Sequence, residues 1–162
     1  MRSDERTFTA IVKNYQRPLY GYIRRVVISH EDAEDILQET FAKAFRRLWT
    51  VRSEEALPAW LFRIATNETR RHLRRKKPLV FTDTLPDTRH DCGEGTDAKV
   101  AEGILIPRVM PSLTPLEREV FSLKYYFQMD YAQISRITGS NVNTLMVCWH
   151  NAKEKIKKEI LK

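Results

Sequence analysis

The sequence predicts an all-α protein: two small helical domains joined by a flexible linker, the second a helix-turn-helix domain. Three observations predict it. Apolar residues recur at threes and fours through most of the chain before residue 78 and again after residue 106, the spacing of amphipathic helices. Between those blocks the chain turns to Pro, Gly, Thr and Asp with little periodicity, and a structureless stretch of that length argues against one compact domain. Near the end, a short periodic segment meets Gly139 and then a longer periodic segment, the order of a helix-turn-helix. The domains are therefore placed at 1–78 and 107–162, with the linker at 79–106.

Charge follows the same division. The 162 residues carry a net +7 with a pI near 9.5, a balance that favours a polyanionic partner. Residues 1–78 hold +7, residues 79–106 hold −4 and residues 107–162 hold +4. Two cysteines, Cys92 and Cys148, lie far apart, with no CxxC pair or zinc-ligand spacing, so no metal or cofactor is expected. His90 beside Cys92 does not make a metal site. Reduced thiols, no apolar run of membrane-spanning length and no signal peptide at Met1–Asp4 point to a cytoplasmic protein. No nucleophile–base pair or phosphate loop argues for an enzyme.

The helices follow in order. Phe8, Ile11, Val12, Tyr15, Leu19, Tyr22, Ile23 and Val26 predict a first helix over 5–28, with a kink or break near Arg17 where Pro18 intervenes, and with Arg24 and Arg25 outside the stripe. Ser29 offers the N-cap of the next segment, where Ala33, Ile36, Leu37, Phe41, Ala44, Phe45 and Leu48 form one stripe. Its first turns are acidic and its end is basic, matched to the helix dipole. The opposite edge is either a solvated face or a docking surface for a basic partner.

Ser53 and Pro58 then mark the start of a third helix, with Leu57, Trp60, Leu61, Ile64, Ala65, Glu68 and His72 roughly on one face. That helix ends in Arg70, Arg71, Arg74, Arg75, Lys76 and Lys77. A dipole can use only the last turn's charge, and the excess suits a phosphate backbone. After the linker, Thr114, Pro115 and Glu117 spell a capping box, Asp130 with Gln133 starts a short helix, and Ser140 or Asn141 opens the last one. Val142, Leu145, Trp149, Ala152, Ile156 and Ile160 are its expected buried stripe; Asn143, Thr144, Val147, Cys148 and Asn151 face outward, with Met146 nearby.

Three stretches resemble one family. DAEDILQETF, residues 32–41, is similar at ten consecutive positions to the core-polymerase-binding segment of bacterial sigma factors of the extracytoplasmic-function group, in the sigma-70 family. The resemblance implies that this segment grips a coiled coil in the largest subunit of RNA polymerase, with Asp32, Asp35, Gln38, Glu39 and Phe41 as contact or support residues. Trp60, Leu61, Ile64, Ala65 and Asn67 match the family's next pattern, which implies recognition and melting of the minus-ten promoter element. Arg63, Asn67, Arg70, Arg71, Arg74 and Arg75 would then face DNA, and residues 50–57 would shape a pocket for a flipped base. Where the family usually carries an Asp four residues after the Asn, this chain has Arg71, so any hydrogen bond from that Asp is absent.

From Leu113 to about Lys158 the chain resembles the family's second domain, which reads the minus-thirty-five element in the major groove. Asn143, Thr144, Val147, Cys148, Asn151 and Lys153 would face that element. Three positions usually basic are Met146, Cys148 and Asn151 here, and no Arg lies on this face, although Arg to guanine is the commonest direct readout. An A/T-leaning element, or weak DNA binding that leans on polymerase, follows; Lys153, Lys155, Lys157 and Lys158 remain for backbone contacts. The resemblance further implies an anti-sigma partner, a linker passing near the polymerase cleft, and no autoinhibitory domain ahead of the first helix. Two other readings stay open: a free-standing helix-turn-helix regulator, and a sigma-like adaptor with reduced promoter reading.

Overall fold

A computed structural model of the protein describes residues 4–76 and 105–161, and all of its regular elements there are helical. Residues 77–104, with Lys77, His90 and Cys92 and most of the expected linker 79–106, lie outside the described residues. Three helices form the front half: α1 (Glu5–Val27), α2 (His30–Arg47) and α3 (Leu57–Lys76). Three more form the rear half: α4 (Pro115–Phe121), α5 (Tyr131–Thr138) and α6 (Val142–Ile160).

Local chemistry sets the helix starts. Asp4, Ser29, Thr114, Asp130 and Asn141 each accept a backbone N–H with the side chain at the N-cap, and Thr114–Glu117 and Asp130–Gln133 are complete capping boxes. Gly139 ends α5 with φ 75°, a left-handed conformation that costs glycine nothing and strains any side chain. Pro18 does not break α1: the helix runs unbroken through it, so of the expected kink or break the break is absent. α4 widens into a π-type turn over Ser122–Tyr126, where the Ser122 N–H is shared between the Arg118 and Glu119 carbonyls.

The two halves share one core. Leu19, Tyr22, Ile23, Leu61, Phe62 and Ala65 belong to the same buried cluster as Val120, Leu123, Ile134, Ile137 and Leu145. α1 packs on α4, and α3 packs on α5. Phe62 meets Phe127 edge-on at 4.8 Å across this seam. Arg25, expected outside the stripe, is only 2% exposed: its Nε donates to Ser122 Oγ and its guanidinium lies 3.7 Å from the Tyr126 ring centre. It was misplaced because a charged residue inside an apolar stripe reads as surface until a second layer covers it.

A smaller cluster under α6 holds Met110, Leu113, Phe121 and Ala152, with Trp149 and Ile156 against it. On α6 itself, Leu145 and Ala152 are buried, but Val142 and Ile160 are exposed at 40% and 68%. The expected stripe is therefore covered only along its middle, from Leu145 to Ile156. Phe45 of α2 is likewise 45% exposed, although its ring packs edge-on to Phe8 at 4.9 Å.

Leu61 is fully buried in the shared core. Leu61→Ala is expected to lower stability by about 2–5 kcal/mol through lost burial and a residual cavity. The check is the urea midpoint, which should fall without a change in slope.

Candidate functional site

The front half presents two edges of opposite charge across one cleft of about 450 Å³. Asp35, Gln38 and Glu39 of α2 line one wall, and Arg71, His72 and Arg75 of α3 line the other, with Glu68 between. The spacing explains the arrangement. Ala33, Ile36, Leu37, Thr40 and Ala44 take the buried stripe of α2, which leaves Asp35, Gln38 and Glu39 on its outer edge. Ion pairs stitch the two helices, Lys43 to Glu68 and Lys76 to Asp32, and His72 Nε2 lies 3.3 Å from Asp32 Oδ1. Of the α2 candidates, Asp35, Gln38 and Glu39 are therefore fully displayed. Asp32 is half-buried in that pairing, and Phe41 is half-buried with its ring edge-on to Phe8 at 6.2 Å.

Along α3, Arg63, Asn67, Arg71, Arg74 and Arg75 are exposed, spaced by threes and fours on one face. Arg70 is not with them. Its Nε and Nη2 donate to the Glu119 carboxylate at 3.0 and 2.8 Å, and its Nη1 donates to the Thr138 carbonyl at 2.8 Å. The guanidinium is spent on the rear half, because α5 and α4 close over that flank of α3. Glu119 is 1% exposed, and burial pushes its carboxyl up by more than Arg70 draws it down. The hydrogen bonds to Glu119 hold the Arg70 guanidinium more firmly charged than usual. Arg118 donates through Nη1 to the Val26 carbonyl at 2.9 Å, with burial pulling its own pKa down. Arg25, Arg118 and Glu119 were missed in the sequence. The available signal was a charged residue at an apolar position, such as Arg25 three after Tyr22.

In the rear half, α5, Gly139 and α6 make the helix-turn-helix. Asn143, Thr144, Val147, Asn151 and Lys153 are exposed, together with Met146. Cys148 is half-buried against the shared core, and burial pushes its thiol up, so it is withdrawn from the outward face. Lys155 is held by Glu117 at 2.9 Å, and Lys153 sits 5.3 Å from the Trp149 ring, so Lys157 and Lys158 are the more open cations. Among the described residues, no group of three or more His, Cys, Asp or Glu side chains could hold a metal. No helix there is long and apolar enough to cross a membrane.

The front half thus carries an acid edge and a basic edge on three helices, and the rear half a helix-turn-helix. A family model described as Sigma-70 region 2 matches residues 11–78, and one described as Sigma-70, region 4 matches residues 104–156. The chain belongs to the sigma-70 family, in its extracytoplasmic-function group. The sigma-H factor of Pseudomonas aeruginosa is 28% identical over 171 residues, covering 98% of this chain and 89% of its own length. The extracytoplasmic-function sigma factor SigW of Bacillus subtilis is also 28% identical, covering 98% of this chain and 91% of its own. Two solved structures share the fold. CnrH in complex with the cytosolic domain of CnrY gives a TM-score of 0.70 at 22% identity, covering 96% of this chain and 88% of that one. The sigma factor RpoE in complex with the anti-sigma factor NepR from Bartonella quintana gives 0.72 at 20% identity, covering 95% and 96%.

The raised Glu119 pKa has a sign. The folded chain holds that proton to higher pH than the unfolded chain, so this group's contribution is complete below the unfolded value and is lost as pH rises through the folded one. Glu119→Gln is expected to flatten stability against pH across that window. Urea midpoints measured from acid to neutral pH check it; an unchanged profile removes Glu119 as the cause.

Proposed function

We propose that this protein is a transcription initiation factor that binds core RNA polymerase and directs it to specific promoters, recognising and melting the minus-ten element and contacting the minus-thirty-five element. The observation that supports it best is the cleft in which the exposed Asp35, Gln38 and Glu39 face the exposed Arg71 and Arg75. A coiled coil of the polymerase's largest subunit is the partner of the acid edge, and promoter DNA is the partner of the basic one. Residues 1–78 form the region 2-like module, 79–106 the linker and 107–162 the region 4-like module.

Within that reading, Asp35, Gln38 and Glu39 make the polymerase contacts, while Asp32 and Phe41 hold α2 in place from beside them. Arg63, Asn67, Arg71, Arg74 and Arg75 follow the DNA strand, where each neutralised phosphate releases counterions. Residues 50–57 shape the pocket for a flipped base. Asn143, Thr144, Val147 and Asn151 meet the upstream element, with Lys153 behind them. The protein acts in the cytoplasm, and it is not itself an enzyme: phosphodiester chemistry belongs to the polymerase. An anti-sigma factor is the expected restraint; the RpoE of similar fold is in complex with the anti-sigma factor NepR.

One observation favours a second reading, a sigma-like adaptor with reduced promoter reading. The outward face of α6 carries no Arg, and Met146 and Val147 are exposed at 50% and 58%. Run-off transcription from genomic fragments separates the two: initiation that responds to the upstream sequence supports the full factor, and recruitment without initiation supports the adaptor.

Two variants test the surfaces. Asp35→Arg with Glu39→Arg is expected to weaken polymerase binding by on the order of 100-fold, since like charges then face each other, while the helical circular dichroism is unchanged. Undiminished binding counts against the docking edge. Arg74→Ala with Arg75→Ala is expected to lower the slope of log affinity against log salt by about 1.4–1.8 and to impair open-complex formation more than recruitment. Equal loss of both moves these arginines out of the melting step.

A further inference from the structure

Trp49 stands apart from both apolar clusters. Trp60 and Trp149 pack against buried residues, whereas Trp49 is 71% exposed. Indole rings are highly buried on average, and one can cover roughly 150–250 Å² of surface, so an indole left in water forgoes a large contact. Among the described residues, no ring contact or hydrogen bond engages the Trp49 side chain.

The backbone beneath the ring is firm. Trp49 is the middle residue of a 3-10 turn, Leu48–Thr50, that closes α2. Leu48 before the indole and Val51 after it are buried. The Val51 N–H donates to the Leu48 carbonyl at 3.1 Å, and Thr50 Oγ1 donates to the Arg47 carbonyl at 2.7 Å. A ring displayed from a pinned turn loses little freedom on contact, which favours binding.

Charge decides what the ring meets. The acid edge of α2 ends at Glu39, about 15 Å before Trp49 along the helix. Around Trp49 the sign is reversed, with Arg46, Arg47 and Arg52 all exposed. From residue 40 to residue 67, five Lys or Arg stand against two acids, Glu54 and Glu55. Arg46 and Arg47 also complement the C-terminal end of the α2 dipole, but Arg52 lies beyond the helix and has no such role. A flat apolar ring among cations suits a single nucleic-acid strand, whose bases stack on the ring while its phosphates meet the cations. Paired bases are already stacked within the duplex, so only an unpaired base can lie on the indole.

We propose that Trp49 is a stacking platform for an unpaired base of melted DNA, with Arg46, Arg47 and Arg52 on the neighbouring phosphates. This rests on the promoter-melting reading, in which residues 50–57 take a flipped base. That loop begins at the residue after Trp49, so the base on the indole is a near neighbour on the same strand. Every base has a π-face, so the platform adds hold on the open strand without adding sequence preference.

The test begins with the free full chain. Trp60→Phe with Trp149→Phe leaves Trp49 as the sole indole, and circular dichroism checks the fold. At low salt, a mixed-sequence single-stranded 12-mer is expected to quench its fluorescence, while an abasic strand of equal length and the matching duplex leave it nearly unchanged. In the natural background, Trp49→Leu is expected to weaken binding of the labelled 12-mer by about 5- to 150-fold, the range for losing one base–aromatic stack, and Trp49→Tyr to stay within a few-fold of wild type. With core polymerase on genomic promoter fragments, Trp49→Leu is expected to shorten the open-complex lifetime more than it weakens recruitment. The platform is overturned if the wild type does not bind the 12-mer, if quenching does not depend on bases, or if Trp49→Leu binds the strand as tightly as wild type. Loss of polymerase binding by Trp49→Leu with strand binding intact overturns it too, and makes the indole a protein contact. Failure of the wild type to bind polymerase or to initiate would instead strike the functional reading, and the oligonucleotide series would still decide whether Trp49 stacks a base.

Discussion

The structure depends on the burial of one helix layer by another across a seam that no single half could complete. Tyr22 sits at its centre, fully buried, with its hydroxyl 2.6 Å from Thr66 and its ring edge-on to Phe62. Burial pushes the phenol pKa well up, so the hydroxyl stays neutral and serves as a hydrogen-bond partner. Phe62 continues the contact to Phe127, and α4 and α5 cover the rest. Three helices of the front half alone would leave much of that surface in water, at about 25 cal/mol per Å² of apolar area. The rear half supplies the cover, and the polar groups of the seam fix the angle at which it sits.

Charge is distributed so that the two working edges do not neutralise each other. The acid edge of α2 and the basic edge of α3 lie across a cleft, and the places where they meet are paired internally, by Lys43 with Glu68 and by Lys76 with Asp32. These pairs are partly exposed, so each contributes little stability; their effect is to orient the side chains beside them. The outer acids and amide of α2 and the outer arginines of α3 are left displayed. On the proposed reading, a docking protein and a strand of nucleic acid are held side by side on one small module, as a factor joining polymerase to a promoter requires.

The rear half shows how one scaffold can be kept while its reading face changes. Capping boxes, the left-handed Gly139 and the buried Leu145 and Ala152 hold the helix-turn-helix in shape. None of them is among the outward positions of α6, since Leu145 and Ala152 are buried and the capping boxes and Gly139 lie on other segments. The outward positions of α6 can therefore hold Asn143, Met146, Val147 and Asn151 without disturbing the fold. Cys148 is the exception, because its position on α6 turns it toward the shared core.

Local signals in the sequence determined most of the elements: helix starts through Ser29, Thr114, Asp130 and Asn141, the stop at Gly139, the all-helical class, and the acid and basic edges of α2 and α3. These were legible because caps, turns and amphipathic stripes act over three to seven residues. The tertiary structure alone decided the rest. It turned Arg70 from DNA toward Glu119, buried Arg25, drew Cys148 inward and left Val142 and Ile160 uncovered. The turning of Arg70 and the burial of Arg25 depend on Glu119 and Ser122, dozens of residues away, and the period of a helix says which face a residue takes but not what that face will meet.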